Sequence, residues 1–343
     1  MKFEAVTIKD IAKALGLSTS TVSRALRDSY EISPATKKQV LEYAAEINYR
    51  PNPIALSLKE KRSRSIGVIV CEIANSFFSQ IINGIESIAY DKGYNVIISQ
   101  SHESYAREVI DLNYLASRSI DGLLISVSAE TEDLSHIQSL HDRGFPIVFF
   151  DRVAETIQTH KVIVDNFKGG YDATIHLIDA GYTRIANLAG SPLLSNTKER
   201  FDGYLKALEE RGIVYAQELT NHCLHGGMEY SEVETALNEL MHLSHKPDAI
   251  LATADKVTTN CLRYFKSKNI KVPEDIALMG FSNLDLTDLL SPSLSVVRQP
   301  AFEMGQIATE LLLQLIESKR PIREFEKRVL PLQLLARESS IKK

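Results

Sequence analysis

Thr19, Ser20, Ser23 and Arg24 put three hydroxyls and one guanidinium on the outward side of a short segment whose other side carries Val22 and Leu26. Such a surface suits the major groove of DNA, where a guanidinium can take two acceptors of one guanine and hydroxyls reach bases or phosphates. The flanking residues supply the frame. Thr7, with Asp10 three residues on, forms a capping box at the start of a helix. Ile8, Ile11, Ala12 and Leu15 recur at helical spacing, and Gly16 fits the left-handed position that ends a helix. Ser18 then caps the second helix. Residues Thr7–Leu26, TIKDIAKALGLSTSTVSRAL, therefore read as a helix-turn-helix. A polar-faced helical hairpin is the plainer alternative.

Ser33-Pro34, a cap followed by a proline at the first helical position, opens a third helix. Val40, Leu41, Ala44 and Ile47 give it an apolar stripe that can cover the hairpin. Ser33, Thr36, Lys37 and Tyr49 suit phosphate oxygens. In YRPNPIALSLKEKRS, residues Tyr49–Ser63, two prolines break the third helix. A short helical segment, Ile54–Leu58, follows; it carries Leu56 and Leu58 but is too short to form a core.

Charge is placed unevenly. Residues 1–65 hold 12 Lys and Arg against 7 Asp and Glu, a net of +5, while the whole chain carries −5, which leaves −10 on the remainder. A basic head on an acidic body is the distribution of a protein that meets DNA through its head alone. Hydrophobic content of 44% and charged content of 24% are ordinary for a soluble protein, and 343 residues suffice for two domains. Cys71, Cys223 and Cys261 are scattered, without metal-ligand spacing, and fit a reducing compartment. No metal and no cofactor is expected; His176, His222, His225, His242 and His245 read as ordinary polar residues. No apolar run approaches a membrane span and the opening Met1-Lys2-Phe3-Glu4 has no signal-peptide character, so a cytoplasmic protein is expected.

Past Ser63 strands and helices alternate. Apolar runs lie at 66–70, 96–99, 122–127, 147–150, 162–164, 185–189, 249–252 and 276–279, and helical patterns at 78–92, 105–117, 168–180, 199–211 and 231–243 separate most of them. This rhythm argues for parallel sheets covered by helices on both faces, and the length favours two lobes.

The chain resembles the LacI/GalR (lactose/galactose repressor) family of bacterial transcription regulators over essentially its whole length. The resemblance is most specific in TIKDIAKALGLSTSTVSRAL, NYRPNPIALSLK and the SIGVIV strand. It implies an α/β chain: an all-α helix-turn-helix head with a hinge helix at about residues 52–60, then a periplasmic-binding-protein-like core of two flavodoxin-like lobes. The domains would be residues 1–63 and 64–343. The first lobe would hold about 65–163 and 295–324, the second about 164–294 and 325–343. In the family the hinge helix folds on the operator and pushes a leucine into the minor groove; Leu58 matches it, with Asn52 and Ala55 as neighbours. An apolar wedge of this kind unstacks a base step and bends the duplex. Leu56 is expected to pack on the effector domain instead. Arg27 stands where an asparagine is common and would add a phosphate contact. Candidate DNA contacts are thus Thr7, Ser18, Thr19, Ser20, Thr21, Ser23, Arg24 and Arg27 in the hairpin. Ser33, Thr36, Lys37 and Tyr49 follow with the third helix, then Asn52, Ala55, Leu58 and Lys59 in the hinge.

In open parallel sheets a ligand sits beyond the carboxyl ends of the strands. Asn75-Ser76-Phe77-Phe78 resembles the Asn-x-Phe-Phe motif of sugar-binding relatives, in which the aromatic faces stack on a sugar ring. Asp151-Arg152 pairs a carboxylate with a guanidinium, which reads a polyol well and could equally be a surface ion pair. Arg200 matches the family arginine that reaches the ligand from the second lobe. Asp255, which could instead cap a helix, and Gln299 complete the set. Two departures stand out. Gly280-Phe281-Ser282-Asn283 carries Ser282 where many sugar-responsive relatives place an aspartate, and Ala254 precedes Asp255 where many have asparagine. With Ser282 as the effector-facing residue, a ligand with an anionic group or a second ring is expected to bind better than a free monosaccharide.

The function expected is a sequence-specific transcription regulator, a repressor. It would bind a palindromic operator as a homodimer, under control of a sugar or sugar derivative in the interlobe cleft. A solute-binding protein of a transporter would not carry the helix-turn-helix head. An enzyme on a nucleotide-binding sheet lacks its fingerprints here: no G-x-G-x-x-G follows the first strand, no P-loop occurs, and no nucleophile–base pair is visible.

Overall fold

A computed structural model describes residues 6–49 and 62–342. The chain divides into two compact units, Met1–Ser63 and Arg64–Lys343. The first holds helices α1 (Ile8–Leu15), α2 (Thr19–Ala25) and α3 (Pro34–Glu46). Thr7 opens α1 with its N–H and hydroxyl both donated to Asp10 Oδ2, at 2.8 and 2.7 Å. Gly16 closes it at φ +66°. Ser18 and Ser33 accept the N–H groups of Thr21 and Thr36 at 3.0 and 3.2 Å and so cap α2 and α3. The core is small: Ile11, Val22 and Val40 are fully buried, with Ala12, Ala25 and Ala44 around them. Leu41, expected in the buried stripe of α3, is instead half exposed, because the helix turns Val40 and Ala44 inward and leaves Leu41 on the flank. The expected hinge helix, with Asn52, Ala55, Leu56, Leu58 and Lys59, lies outside the described residues.

The second unit is built on two six-stranded sheets with the same winding. The first is ordered β2-β1-β3-β4-β5-β11, from β1 (Ser65–Val70), β2 (Asn95–Gln100), β3 (Gly122–Ile125), β4 (Ile147–Phe150), β5 (Lys161–Val164) and β11 (Lys327–Leu330), all parallel. The second is ordered β7-β6-β8-β9-β10-β12, from β6 (Ile185–Ala189), β7 (Thr220–His222), β8 (Ala249–Ala252), β9 (Ala277–Phe281), β10 (Ser295–Arg298) and β12 (Gln333–Leu335). Only β12 runs antiparallel to its neighbour. Each sheet is covered on both faces, so inner strands such as β3, β4, β8 and β9 are buried throughout, while the edge strands β2, β7, β11 and β12 carry polar, exposed residues. Ile66, Val68 and Val70 point into one core of the first lobe and Ile69 into the other.

Helices α4 (Ser76–Asp91), α5 (Tyr105–Ser117), α6 (Ser135–Asp142) and α11 (Ala301–Glu317) cover the first sheet, and α7 (Asn166–Asp179), α8 (Ser195–Glu210), α9 (Tyr230–His242) and α10 (Asp255–Lys268) the second. The chain passes between lobes after β5, after β10 and between β11 and β12. The expected lobe limits at 294/295 and 324/325 are therefore corrected. β10 hydrogen-bonds beside β9 in the second sheet, so the chain crosses after Arg298. β11 pairs with β5 at the edge of the first sheet, so the last crossing falls after Leu330.

Candidate functional site

Two surfaces carry the candidate chemistry, one in each unit. On the head, Thr19, Ser20 and Arg24 are exposed on α2, with Thr21 and Ser23 partly so, and Arg27 is exposed just beyond its end. Arg24 Nη1 lies 2.7 Å from Glu31. Lys37 Nζ lies 2.6 Å from Asp28 Oδ1 and donates to the Asp28 carbonyl at 3.2 Å. Arg27 donates to Ser23 O at 2.9 Å and to Ser23 Oγ at 3.2 Å. The Arg24 and Lys37 pairs are solvent-exposed on at least one side, and such pairs contribute about 0–1 kcal/mol. Both cations can exchange their partners for base edges or phosphates at small cost. Ser18 and Ser33 act as caps, each also within hydrogen-bond distance of a threonine, Thr21 at 2.8 Å and Thr36 at 2.9 Å.

In the second unit, both windings reverse direction beside their first strand. The loops after β1 and β3 therefore face those after β6 and β8, which is where a ligand sits in this kind of sheet. Between them lies a narrow cleft of about 50 Å³, connected to solvent. Asn75, Phe77, Phe78, Asp151, Arg152, Arg200, Asp255 and Gln299 all line it. Phe77 and Phe78 meet edge to face, ring centroids 5.3 Å apart, and also belong to the first-lobe core. Asn75 caps α4 by accepting the Phe77 N–H at 2.9 Å.

The charged groups are held in place. Arg152 Nη1 reaches Glu103 Oε2 at 2.6 Å and Cys71 Sγ at 3.0 Å. Glu103 Oε2 also accepts the N–H of Ala129 at 2.9 Å. Burial opposes the charge on Arg152, but its neighbours hold the guanidinium above its ordinary value. Glu103 is the partner that matters at neutral pH, because burial pushes the Cys71 thiol up and keeps it neutral. Asp151, at φ +58°, is 5% exposed; burial raises its carboxyl, and its Oδ1 accepts from Asn196 of the other lobe at 3.3 Å.

Arg200 is 5% exposed. It donates to Asn166 Oδ1 at 2.9 Å, Thr253 O at 2.7 Å and Gln299 Oε1 at 2.9 Å, and lies 4.2 Å from the centroid of Phe281. Burial brings its pKa down to about 10, with Asp151 opposing, so it remains a cation at neutral pH. The close approach of α7 and α8 puts it there: a Cβ on Gly170 would lie 2.1 Å from the Arg200 carbonyl oxygen. α8 begins at Ser195, not near Glu199 as the sequence pattern suggests, so Arg200 stands beyond its first turn.

Asp255 is the first residue of α10, and Ala254 holds the cap position, so the capping alternative does not apply. Burial raises its carboxyl, while the Ser282 hydroxyl and the N–H groups of Asn283 and Phe77 stabilise its charge. The placement of Ser282 corrects the expectation of a direct effector contact. It is fully buried, does not line the cleft, and donates to Asp255 Oδ1 at 2.5 Å. Sequence reasoning also passed over Glu72, Glu103, Asn196, Thr197, Thr253 and Lys256, which line the cleft. Asn196 and Thr197 share a helical face with Arg200, a spacing signal that could have found them. Thr253 Oγ1 is buried and makes no hydrogen bond in the structure. Among the described residues no His, Cys, Asp or Glu cluster could hold a metal, and no helix is long and apolar enough to cross a membrane.

Residues 7–52 match the family described as bacterial regulatory proteins, lacI family, and residues 63–333 match periplasmic binding proteins and sugar binding domain of LacI family. The HTH-type transcriptional repressor PurR of Vibrio atlanticus (strain LGP32) is 34% identical over 323 residues, 94% of each chain. The structure of the transcriptional regulator CelR–cellobiose complex is similar at 29% identity and TM-score 0.71, over 97% of this chain and 99% of that one. The lac repressor dimer bound to operator and the anti-inducer ONPF shares the fold at TM-score 0.82 and 24% identity, over 99% and 100% of the two chains.

Proposed function

Because this chain belongs to the LacI family of bacterial regulatory proteins, we propose that it is a transcription repressor which binds a near-palindromic operator as a homodimer and answers to a small molecule in the interlobe cleft. The observation that carries the reading is the capped helix-turn-helix, with Thr19, Ser20 and Arg24 exposed on α2. One such head contacts few base pairs; two on a twofold axis double the contact and match a palindrome. The head, residues 1–63, is the DNA-binding part, and residues 64–343 bind effector and dimerise. We place the protein in the cytoplasm, where its operator is, and take the cleft as a binding site without a catalytic step.

The effector we favour is an uncharged polyhydroxylated molecule, a sugar or sugar derivative. Glu72, Glu103, Asp151 and Asp255 line the cleft together with Arg152, Arg200 and Lys256, so an added anion meets at least as much repulsion as attraction. A hydroxyl can donate to Asp151 and accept from Arg200 at once, and Phe77 and Phe78 offer apolar surface for a ring. This replaces the preference for a ligand with an anionic group or a second ring drawn from Ser282, because the carboxylate at that end of the cleft is supplied by Asp255. Calorimetry against ribose, cellobiose, glucose 6-phosphate and hypoxanthine tests it. Binding of a neutral sugar supports the reading, and exclusive binding of the phosphate or the purine overturns it.

A further inference from the structure

Asn283 follows the β9 strand, is 1% exposed and does not line the cleft. Its Nδ2 donates to Gln80 Oε1 and to the Gln299 carbonyl, both at 2.8 Å. Its Oδ1 accepts the Gln299 N–H at 3.1 Å, and its own carbonyl accepts from Gln80 Nε2 at 3.0 Å. Gln80 belongs to α4 of the first lobe, whereas Asn283 leaves the second sheet. Gln299 is the residue at which the chain crosses between lobes, and its Oε1 accepts from Arg200. The Asn283 N–H also points to the Asp255 carboxylate. One buried asparagine thus touches two cleft residues, Gln299 and Asp255, and clasps the opposite lobe through two bonds to a single glutamine.

Taking the cleft as the effector site, we propose that Asn283 is the positioning residue that couples Arg200 to lobe closure, through Gln299 on one side and Gln80 on the other. The physical basis is cooperative. Hydrogen bonds in a buried amide network polarise and orient one another, so loss at one end weakens the rest. A ligand that draws Arg200 away from Gln299 Oε1, or holds it there, changes how well Gln299 presents its backbone to Asn283. The Asn283–Gln80 pair then holds the lobes shut more or less firmly. The ligand shifts closure only by this difference in contacts between the two states. Gln80 Nε2 also donates to Asp285 Oδ1 at 3.2 Å, so a carboxylate adjoins the clasp at its Gln80 end.

The test uses the full chain with Gln80→Ala, Asn283→Ala and the double variant. Neither position lines the cleft. Three quantities are read: the radius of gyration by small-angle scattering, hydrogen exchange at the Gln299 amide, and affinity for the duplex that wild type selects from a random library. Gln80→Ala, a partly exposed change on the first lobe, should raise the radius of gyration and speed exchange at Gln299 in the second-lobe crossover. It should also change operator affinity about fivefold or more. The double variant should fall short of the sum of the two single changes, because both remove the same Asn283 Nδ2–Gln80 Oε1 bond, while the Asn283 carbonyl still holds Gln80 in Asn283→Ala. An ordinary structural role would lower the melting temperature additively and leave size and operator affinity unchanged; that result overturns the proposal. If wild type selects no duplex, the regulator reading fails, while scattering and exchange still decide the clasp.

Discussion

Ser282 is buried behind Asp255 and donates its hydroxyl proton to Asp255 Oδ1 across 2.5 Å. Asp255 in turn faces the cleft. The residue that departs from the family pattern therefore orients the carboxylate that reaches the ligand. Ser282→Ala should weaken binding of a neutral sugar by about 1.5–3 kcal/mol, the worth of a hydrogen bond to a charged group. Ser282→Asp should do more harm, since two buried carboxylates would share one site and one would have to take up a proton. Calorimetry and thermal melting check both. A gain in monosaccharide affinity on Ser282→Asp would show that the aspartate side chain reaches the cleft.

Arg24 and Lys37 should separate specificity from affinity. Arg24→Ala should cost about 1–3 kcal/mol on the best site and relax preference at one base pair per half-site. Lys37→Ala should weaken binding to all sequences alike and lower the salt slope by about one. Fluorescence anisotropy on the selected duplex and its single-base variants reads both. An Arg24→Ala loss that is equal for every sequence would reassign Arg24 to the phosphates.

His225 carries a pH-dependent contact across the cleft. Its Nδ1 lies 2.7 Å from Glu232 and its Nε2 3.7 Å from Glu130 of the first lobe. The hydrogen bond to Glu232, with the charges of Glu232, Glu130 and Glu229, raises its pKa above the ordinary 6.5. A raised histidine stabilises the folded, closed form fully below the ordinary value and loses that contribution as pH rises through the raised one. Thermal melts between about pH 6 and 8 should therefore show a fall in stability that His225→Gln removes. The side chain is 43% exposed, so the effect should be small and should shrink with added salt. An unchanged pH profile in His225→Gln would rule this contact out.

The sequence carried the head almost residue by residue, because caps, a left-handed glycine and a helical apolar stripe are local signals. Leu41 was misplaced because one helical position separates the core face from the flank. The strands of both sheets were visible as apolar runs, yet the crossings at Arg298 and Leu330 were not. Sheet membership of short strands such as β10 and β11 is decided by pairing partners far away in the chain. In the cleft, residues at strand ends were legible. Glu103, Thr253 and the true place of Ser282 were not, since each depends on which side chain stands in front of another once the lobes meet.

The account turns on one coupling, between the Arg200 side of the cleft and the DNA-reading surface. Its most direct measurement is the affinity of the full chain for its selected palindromic duplex, with and without the neutral sugar that binds by calorimetry, in wild type and Arg200→Ala. Wild-type affinity should shift by about fivefold or more at saturating sugar, in either direction. Arg200→Ala should keep the sugar-free affinity within a few fold and lose the shift. A shift that persists undiminished in Arg200→Ala at sugar concentrations that saturate wild type, or a loss of DNA binding with the sugar response intact, would contradict it.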